Sequence, residues 1–413
     1  MKLRRLTIES ASKATVRATD SSIQRDAVRI VDDVRARGEI ALKEHARAAS
    51  DWRVGTRLVF DRDAIEDAAQ RVDDRDVALL SRTANRLRTF AAAQRRAVTD
   101  VCIPLAGGHA GQTVEPVERA GCYAASGKLP SAVLMTAVTA RAAGVRNVWV
   151  AVSSPSPIVF AAAYVAGVDS LLAVGGPAAI GAFAFGAGVV PACNAIVGIG
   201  DARVAAAKQH VAGRVAIDVT DGANELCALV DDSADARLVA ADLLAQAEHA
   251  DGIPMLVSLD EALVERVERE LDLQLAALPN AAACRRALEQ GFVIVEPDLK
   301  RAIHAVDEIA PAHLQLVLRD TGLARYLVRH CGTLFVGPRS SESFADYGAG
   351  PNCMLPTARG ARSRGGLSVF TFLRVRPWLE ITDPTELAAD AAAFARLEGF
   401  EAHARAAEIR AKS

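Results

Sequence analysis

The chain has 413 residues, 51% hydrophobic and 24% charged, which is enough to bury a large core across about two or three domains. Its 48 Lys and Arg stand against 50 Asp and Glu, for a formal net charge of -2 spread along the sequence, so no broad field selects nucleic acid or an anionic membrane surface. The N-terminus, MKLRRLTIES, has no apolar h-region and the longest apolar stretch, 158–168, is too short to span a bilayer; a cytoplasmic protein acting on a small molecule is expected.

Residues 15–98 read as covering helices. SIQRDAVRIVDDVRARGEIALKEHARAAS and AIEDAAQRVDDRDVALLSRTANRLRTFAAAQ both keep apolar residues at three-and-four spacing with charges between them. A glycine-rich loop is expected at 107–111, followed by a short β-like run, QTVEPVERAGCYAA. From 123 to 224 short β-branched runs alternate with alanine-rich helices, the signature of a parallel α/β sheet. The predicted strands are 148–152, 171–174, 195–197 and 215–217, with helices at 131–143, 157–166, 178–187 and 202–211 between them. Gly175-Gly176 and Gly198-Ile199-Gly200 each end a strand and open a helix whose free N–H groups suit a phosphate. Neither matches G-x-G-x-x-G, and Asp201 makes an N-cap that would repel a pyrophosphate. Ser126-Gly127-Lys128 fails as a Walker A loop, with Cys122 at the required first glycine and Leu129 after the lysine.

A helix at 238–251, LVAADLLAQAEHAD, is expected to project Gln246 and His249 from one face, three residues apart, before Gly252 and Pro254 stop it. An amide oxygen and an imidazole at an element end suit a ligand pair and equally suit a partly exposed polar face. The pattern then returns to α/β, with strand 254–258, helix 259–273 and strand 292–296. In EIAPAHL, Pro311 breaks a helix and leaves His313 in a turn, and DYGAGPNC at 346–353 is too glycine-rich for an element. A last helix, 386–412, places Glu398 and His403 near its middle. The seven cysteines, at 102, 122, 193, 227, 284, 331 and 353, form no CxxC pair, which predicts free thiols and argues against a zinc held by cysteines.

Between about residues 23 and 409 the chain resembles the histidinol dehydrogenase family. The resemblance is carried by VRARGEIAL, LPSAVLMTAVTARAAG, AAYVAGVDSLLAVGG, VAAAKQHV, AADLLAQAEH, EIAPAHLQL, and ADYGAGPNCMLPT followed by GLSVFTFL. The family holds zinc through a Gln, a His, an Asp and a second His near the C-terminus, positions that match Gln246, His249, Asp346 and His403. Such an oxygen-and-imidazole set suits zinc acting as a Lewis acid on an alcohol oxygen. The family oxidises an amino alcohol to the acid in two NAD-dependent hydride transfers, with a His as base and an adjacent Glu helping water attack the aldehyde. The base matches His313, but Ala312 stands in place of the Glu. Cys353 stands where a His meets the substrate, and Asn224 where a Ser does. With Gln246, His249, His313, Asp346, Glu398 and His403 these complete the implied substrate-contacting set. On the cofactor side the family's Tyr matches Tyr123, whereas its NAD-contacting Gln and Asn correspond to Ala178 and Asp201, which weakens the expectation of NAD binding.

The expected fold is α/β, with two Rossmann-like parallel-sheet domains, one inserted in the other. Residues 121–225 form the inserted NAD-binding-type domain, 1–120 with 226–366 the main domain with its N-terminal helical cover, and 367–413 a helical tail. The expected activity is a zinc- and NAD-dependent oxidation of the CH–OH group of a small polar alcohol by a single hydride transfer. The alternatives are true histidinol dehydrogenase, taking L-histidinol to L-histidine, and a zinc-binding protein without redox chemistry. The resemblance further implies a homodimer whose tails complete each other's sites, with one zinc per subunit.

Overall fold

The computed structural model describes residues 2–14, 20–218, 224–249 and 251–412. The described strands form two six-stranded sheets and one of three strands. The first sheet runs Val59–Asp61, Ser170–Leu172, Asn147–Val152, Arg119–Ala124, Ala195–Val197, Ala216–Ile217, parallel throughout except for the antiparallel edge strand Val59–Asp61. Runs such as NVWVAV and AIV are apolar on both faces, as a parallel sheet between helical layers requires. Strand order reverses beside Arg119–Ala124, which opens a crevice at the carboxyl ends of that strand and Ala195–Val197.

The second sheet is wholly parallel and runs Arg4–Arg5, Phe292–Val295, Ile253–Ser258, Glu225–Val230, His313–Val317, Thr333–Val336. The strands ELCALV, IPMLVS and HLQLV are buried at every position. The α/β class and its parallel sheets are therefore as the sequence predicts. The helices Pro157–Ala166 and Ala202–Val211 and the strand Ala195–Val197 have the predicted bounds.

Several expectations give way to local backbone chemistry. The expected loop at 107–111 is instead the tip of a hairpin: Val101–Leu105 and Gly108–Pro116 pair antiparallel, and Leu373–Ile381 adds the third strand. Gly107 turns the chain at φ +74, and a Cβ there would lie 1.7 Å from the carbonyl oxygen of Asp383, so only glycine fits. The helix expected across 22–50 breaks at Gly38 into Ser21–Arg37 and Glu39–Ala48. Its successor divides into Arg62–Ala69 and Asp74–Arg96, the second capped by the Asp73 carboxylate accepting from the Arg75 N–H. These four helices, grouped by sequence with 226–366, instead pack on the first sheet's helices. Val31 and Leu42 share a core with Leu172 and Phe183, and Ile65 and Leu87 share one with Leu134 and Phe160.

The last helix also divides, into Thr385–Leu397 and Glu401–Arg410, because Gly399 takes φ +81. The two halves pack on each other and bury only Ala388, Ala392 and Ala404, leaving Phe394, Leu397, Phe400 and Ile409 exposed. All seven cysteines are free thiols. Among the described residues no helix is long and apolar enough to cross a membrane.

Candidate functional site

A crevice of about 570 Å³ separates the two large sheets, lined by Lys128, Asn224, His249, Asp346, Cys353 and Thr357 among others. Ala125 and Ile199 bring to it the carboxyl ends of Arg119–Ala124 and Ala195–Val197, and Asn224 brings the amino end of Glu225–Val230.

The helix predicted at 238–251 spans Ala236–Ala247, with Asp235 as its cap and Val239, Leu243, Leu244 and Ala247 buried. It ends before His249. Gln246 is fully buried in the last turn, while His249 lies exposed one turn on, its N–H donating to the Gln246 carbonyl at 3.3 Å. One turn earlier, Asp242 accepts from the Gln315 amide at 2.8 Å and from the Ser341 hydroxyl at 2.7 Å. Ser341 in turn caps the short helix Glu342–Asp346. Asp242 thereby fixes that helix against the one carrying Gln246, and Asp346 ends a helix rather than belonging to the loop expected at 346–353. The ligand atoms of His249, Glu342 and Asp346 all come within 4.8 Å of one another.

These residues fit zinc. They offer an imidazole and two carboxylates, and both Oε1 and Nε2 of Gln246, one turn before His249, are buried without a hydrogen-bond partner. His403 is exposed on the tail, its ring 5.5 Å from that of Phe400, and Glu398 ends the preceding helix; within one chain neither joins this group.

His313 opens the strand His313–Val317 rather than sitting in a turn; it is 1% exposed. Its Nδ1–H donates to the Glu225 carbonyl at 2.9 Å, which leaves Nε2 as the basic nitrogen, buried and without a partner. Burial pushes this imidazole toward its neutral form, opposed by the Asp346 charge. Beside it Ala312 is fully buried, and its N–H donates to the Glu225 carboxylate, whose other oxygen accepts from the Ala358 N–H at 2.8 Å. Glu308 is drawn away by Arg359 and Arg362, at 3.3 and 3.5 Å. Glu342 comes nearer: its Oε1 lies 3.7 Å from His313 Nδ1, and burial, then Asp346, holds its carboxyl well above the usual range. Cys353 donates to Asp346, and burial pushes its thiol up. Asn224 forms part of the crevice wall.

The three positions expected to meet NAD are engaged within the fold. Tyr123 is buried and its hydroxyl accepts from the Gly176 N–H at 3.0 Å; Ala178 is buried; Asp201 caps its own helix and pairs with Arg203. The glycine loops are also satisfied internally. Asp51 takes the Gly175 N–H at 2.7 Å as well as the Ser153 hydroxyl, and the buried pair Lys208–Asp218 takes both backbone groups of Gly198. Asp51, Tyr123, Lys208 and Asp218 thus hold the two glycine loops in place from within the fold.

Sequence reading missed Asp51, Lys208, Asp218, Glu225, Asp242 and Glu342. The four-residue spacing of Asp242 to Gln246 and of Glu342 to Asp346 is the signal that would have found two of them.

A family model described as histidinol dehydrogenase matches residues 13–411. Among curated relatives, the histidinol dehydrogenase of Thermus thermophilus is 47% identical over 311 residues, 74% of this chain and 75% of that protein. That of Gluconobacter oxydans is 36% identical over 412 residues, 97% and 96%. The crystal structure of histidinol dehydrogenase from Elizabethkingia anophelis superposes with a TM-score of 0.92 at 27% identity, covering 99% of this chain and 98% of that one.

Proposed function

The chain belongs to the histidinol dehydrogenase family, whose members are NAD-dependent oxidoreductases that use zinc, and on that premise we propose that it oxidises the carbinol of L-histidinol or a close amino-alcohol analogue. The observation that carries this reading is His313, a buried imidazole with a free Nε2 and a Glu342 oxygen 3.7 Å from its Nδ1, next to the His249, Glu342 and Asp346 group.

The proposed set for zinc is Gln246, His249 and Asp346, with the partner's His403 completing it in the homodimer proposed below. When bound, zinc supplies a Lewis acid to the alcohol oxygen and NAD an acceptor for its hydride. The chain's own residues do the rest. His313 Nε2 takes the hydroxyl proton, and the Nδ1–H bond to the Glu225 carbonyl holds the ring in the required tautomer and stabilises the cation that forms. Asn224 and Cys353 shape the wall against which the rest of the substrate lies.

A second reading is favoured by Ala312 and Cys353, which remove a carboxylate and an imidazole from the family's pattern: oxidation of another small polar alcohol that stops after one hydride. Reduced nicotinamide counted per molecule of alcohol separates the two. Two per L-histidinol, with histidine as product, supports the first reading; one per alcohol, with an aldehyde or ketone, supports the second. No reduction with L-histidinol or any polar alcohol overturns both and leaves a metal-binding protein.

The reading includes a homodimer, supported by the apolar tail face of Phe394, Leu397, Phe400 and Ile409, which one chain leaves exposed. Sedimentation should give a dimer, and Leu397→Asp with Phe394→Asp a monomer. A wild-type monomer with full turnover would refute it.

A further inference from the structure

We infer that the Glu225 side chain is the positioning group for His313, clamping the start of its strand to the loop that walls the crevice. The inference rests on the reading of His313 as the base and adds the residue through which the fold aims it.

Glu225 opens the interior strand ELCALV, is fully buried, and is the one charged side chain in that strand. A carboxyl group is tolerated in such a place where its oxygens are bonded, and here each oxygen takes a backbone N–H. Ala312 donates to Oε2 at 3.3 Å and Ala358 donates to Oε1 at 2.8 Å. Both amides lie outside the regular elements, one in the turn before His313 and one in the loop after Thr357, so no ladder partner serves them.

The two donors connect the base to the crevice wall. Ala312 precedes His313, whose Nδ1–H donates to the Glu225 carbonyl at 2.9 Å, so one residue holds the base both by its ring and by its main chain. Ala358 follows Thr357, which lines the crevice with Cys353 and Met354 and whose hydroxyl is buried without a partner. Ala358 takes φ +50 and Arg359 φ +68, a left-handed pair that side-chain-bearing residues keep only where the surroundings impose it. The Glu225 oxygen on the Ala358 N–H is one of those constraints. Glu225 thereby sets where the base stands relative to the wall against which the substrate lies.

The test is a double-mutant cycle of Glu225→Gln and His313→Ala in full-length, zinc-loaded enzyme, assayed with NAD and L-histidinol or the alcohol that wild type oxidises best. Gln keeps the size of Glu and one acceptor but turns the other into a donor. It should lower kcat about 10–100-fold when His313 is present, with KM moving less than about fivefold and zinc content unchanged. In the His313→Ala background the same change should cost less than about threefold, because a group that acts through the imidazole has nothing left to aim. Amide hydrogen exchange gives a readout apart from turnover: peptides containing Ala312 and Ala358 should exchange faster in Glu225→Gln, and those of the other large sheet should not. Thermal melting detects a folding failure, in which case Glu225→Asp, which keeps both acceptors on a shorter stem, is carried through the same cycle with the same expectation. An equal loss of kcat in both backgrounds, or unchanged exchange at both amides, overturns the inference and leaves His313 as the base. Wild-type turnover in His313→Ala, or no turnover of any alcohol by wild type, overturns the inference together with the reading it rests on.

Discussion

Replacing His313 by Ala should lower kcat by about 10²–10⁴-fold while leaving metal content and melting temperature near wild type. The size follows from position. The imidazole is sealed from water, its Nδ1–H is committed to the Glu225 carbonyl, and its Nε2 is the only one of its nitrogens able to take a proton. Neither Glu308, held by two arginines, nor Ala312, which offers no polar side chain, replaces it as it stands. His313→Gln, which keeps bulk and a donor but supplies no base, should be equally slow. The pH profile gives a second check. Burial lowers the imidazole below its ordinary value, so the neutral, proton-accepting form persists as pH falls, and kcat should decline only below the ordinary imidazole range near ~6.5. Turnover in His313→Ala above about a tenth of wild type would take the base role away from this residue.

The sequence made the sheets legible because a strand buried on both faces must be apolar at every position, and NVWVAV, AIV and IPMLVS are. It misplaced ends and breaks where one residue's backbone decides. Gly38 and Gly399 interrupt helices whose apolar spacing continues through them, and Pro311 reads as a turn although the next residues enter a central strand. The site was legible in part. Gln246, His249, His313 and Asp346 come from the matched motifs, and three of them fall in or beside one ligand group. Glu342 was invisible because ESFAD looks like an ordinary capped turn until tertiary contact brings its carboxylate to His249. Tyr123 and Asp201 look available in sequence, and the fold also uses their polar atoms, on Gly176 and on a helix cap. Ala312 shows the same logic at the base. Its N–H belongs to a buried carboxylate, Glu225, that has no counterpart in the local pattern EIAPAHL.

Substituting Asp218 by Leu should destabilise the protein by about 3–5 kcal/mol, the largest single effect on stability expected away from the site. The Asp218 and Lys208 side chains are both 1% exposed and directly paired. Burial alone pushes the Asp218 carboxyl above its usual range, and Lys208 opposes that shift. The pair also closes the Gly198 loop, since the Gly198 N–H donates to Asp218 at 2.7 Å and its carbonyl accepts from Lys208 at 2.8 Å. Removing the acid takes the carboxylate from a buried ammonium, which keeps its bond to the Gly198 carbonyl, and leaves the Gly198 N–H without its acceptor. Removing the base by Lys208→Met strands a carboxylate, at a similar cost. The two changes made together should cost much less than their sum, because an apolar pair of similar volume leaves no unpaired charge to bury. Chemical denaturation of the four proteins measures the cycle. Single variants within about 1 kcal/mol of wild type, or a double variant equal to the sum of the singles, would show that the pair does not hold this loop as a unit.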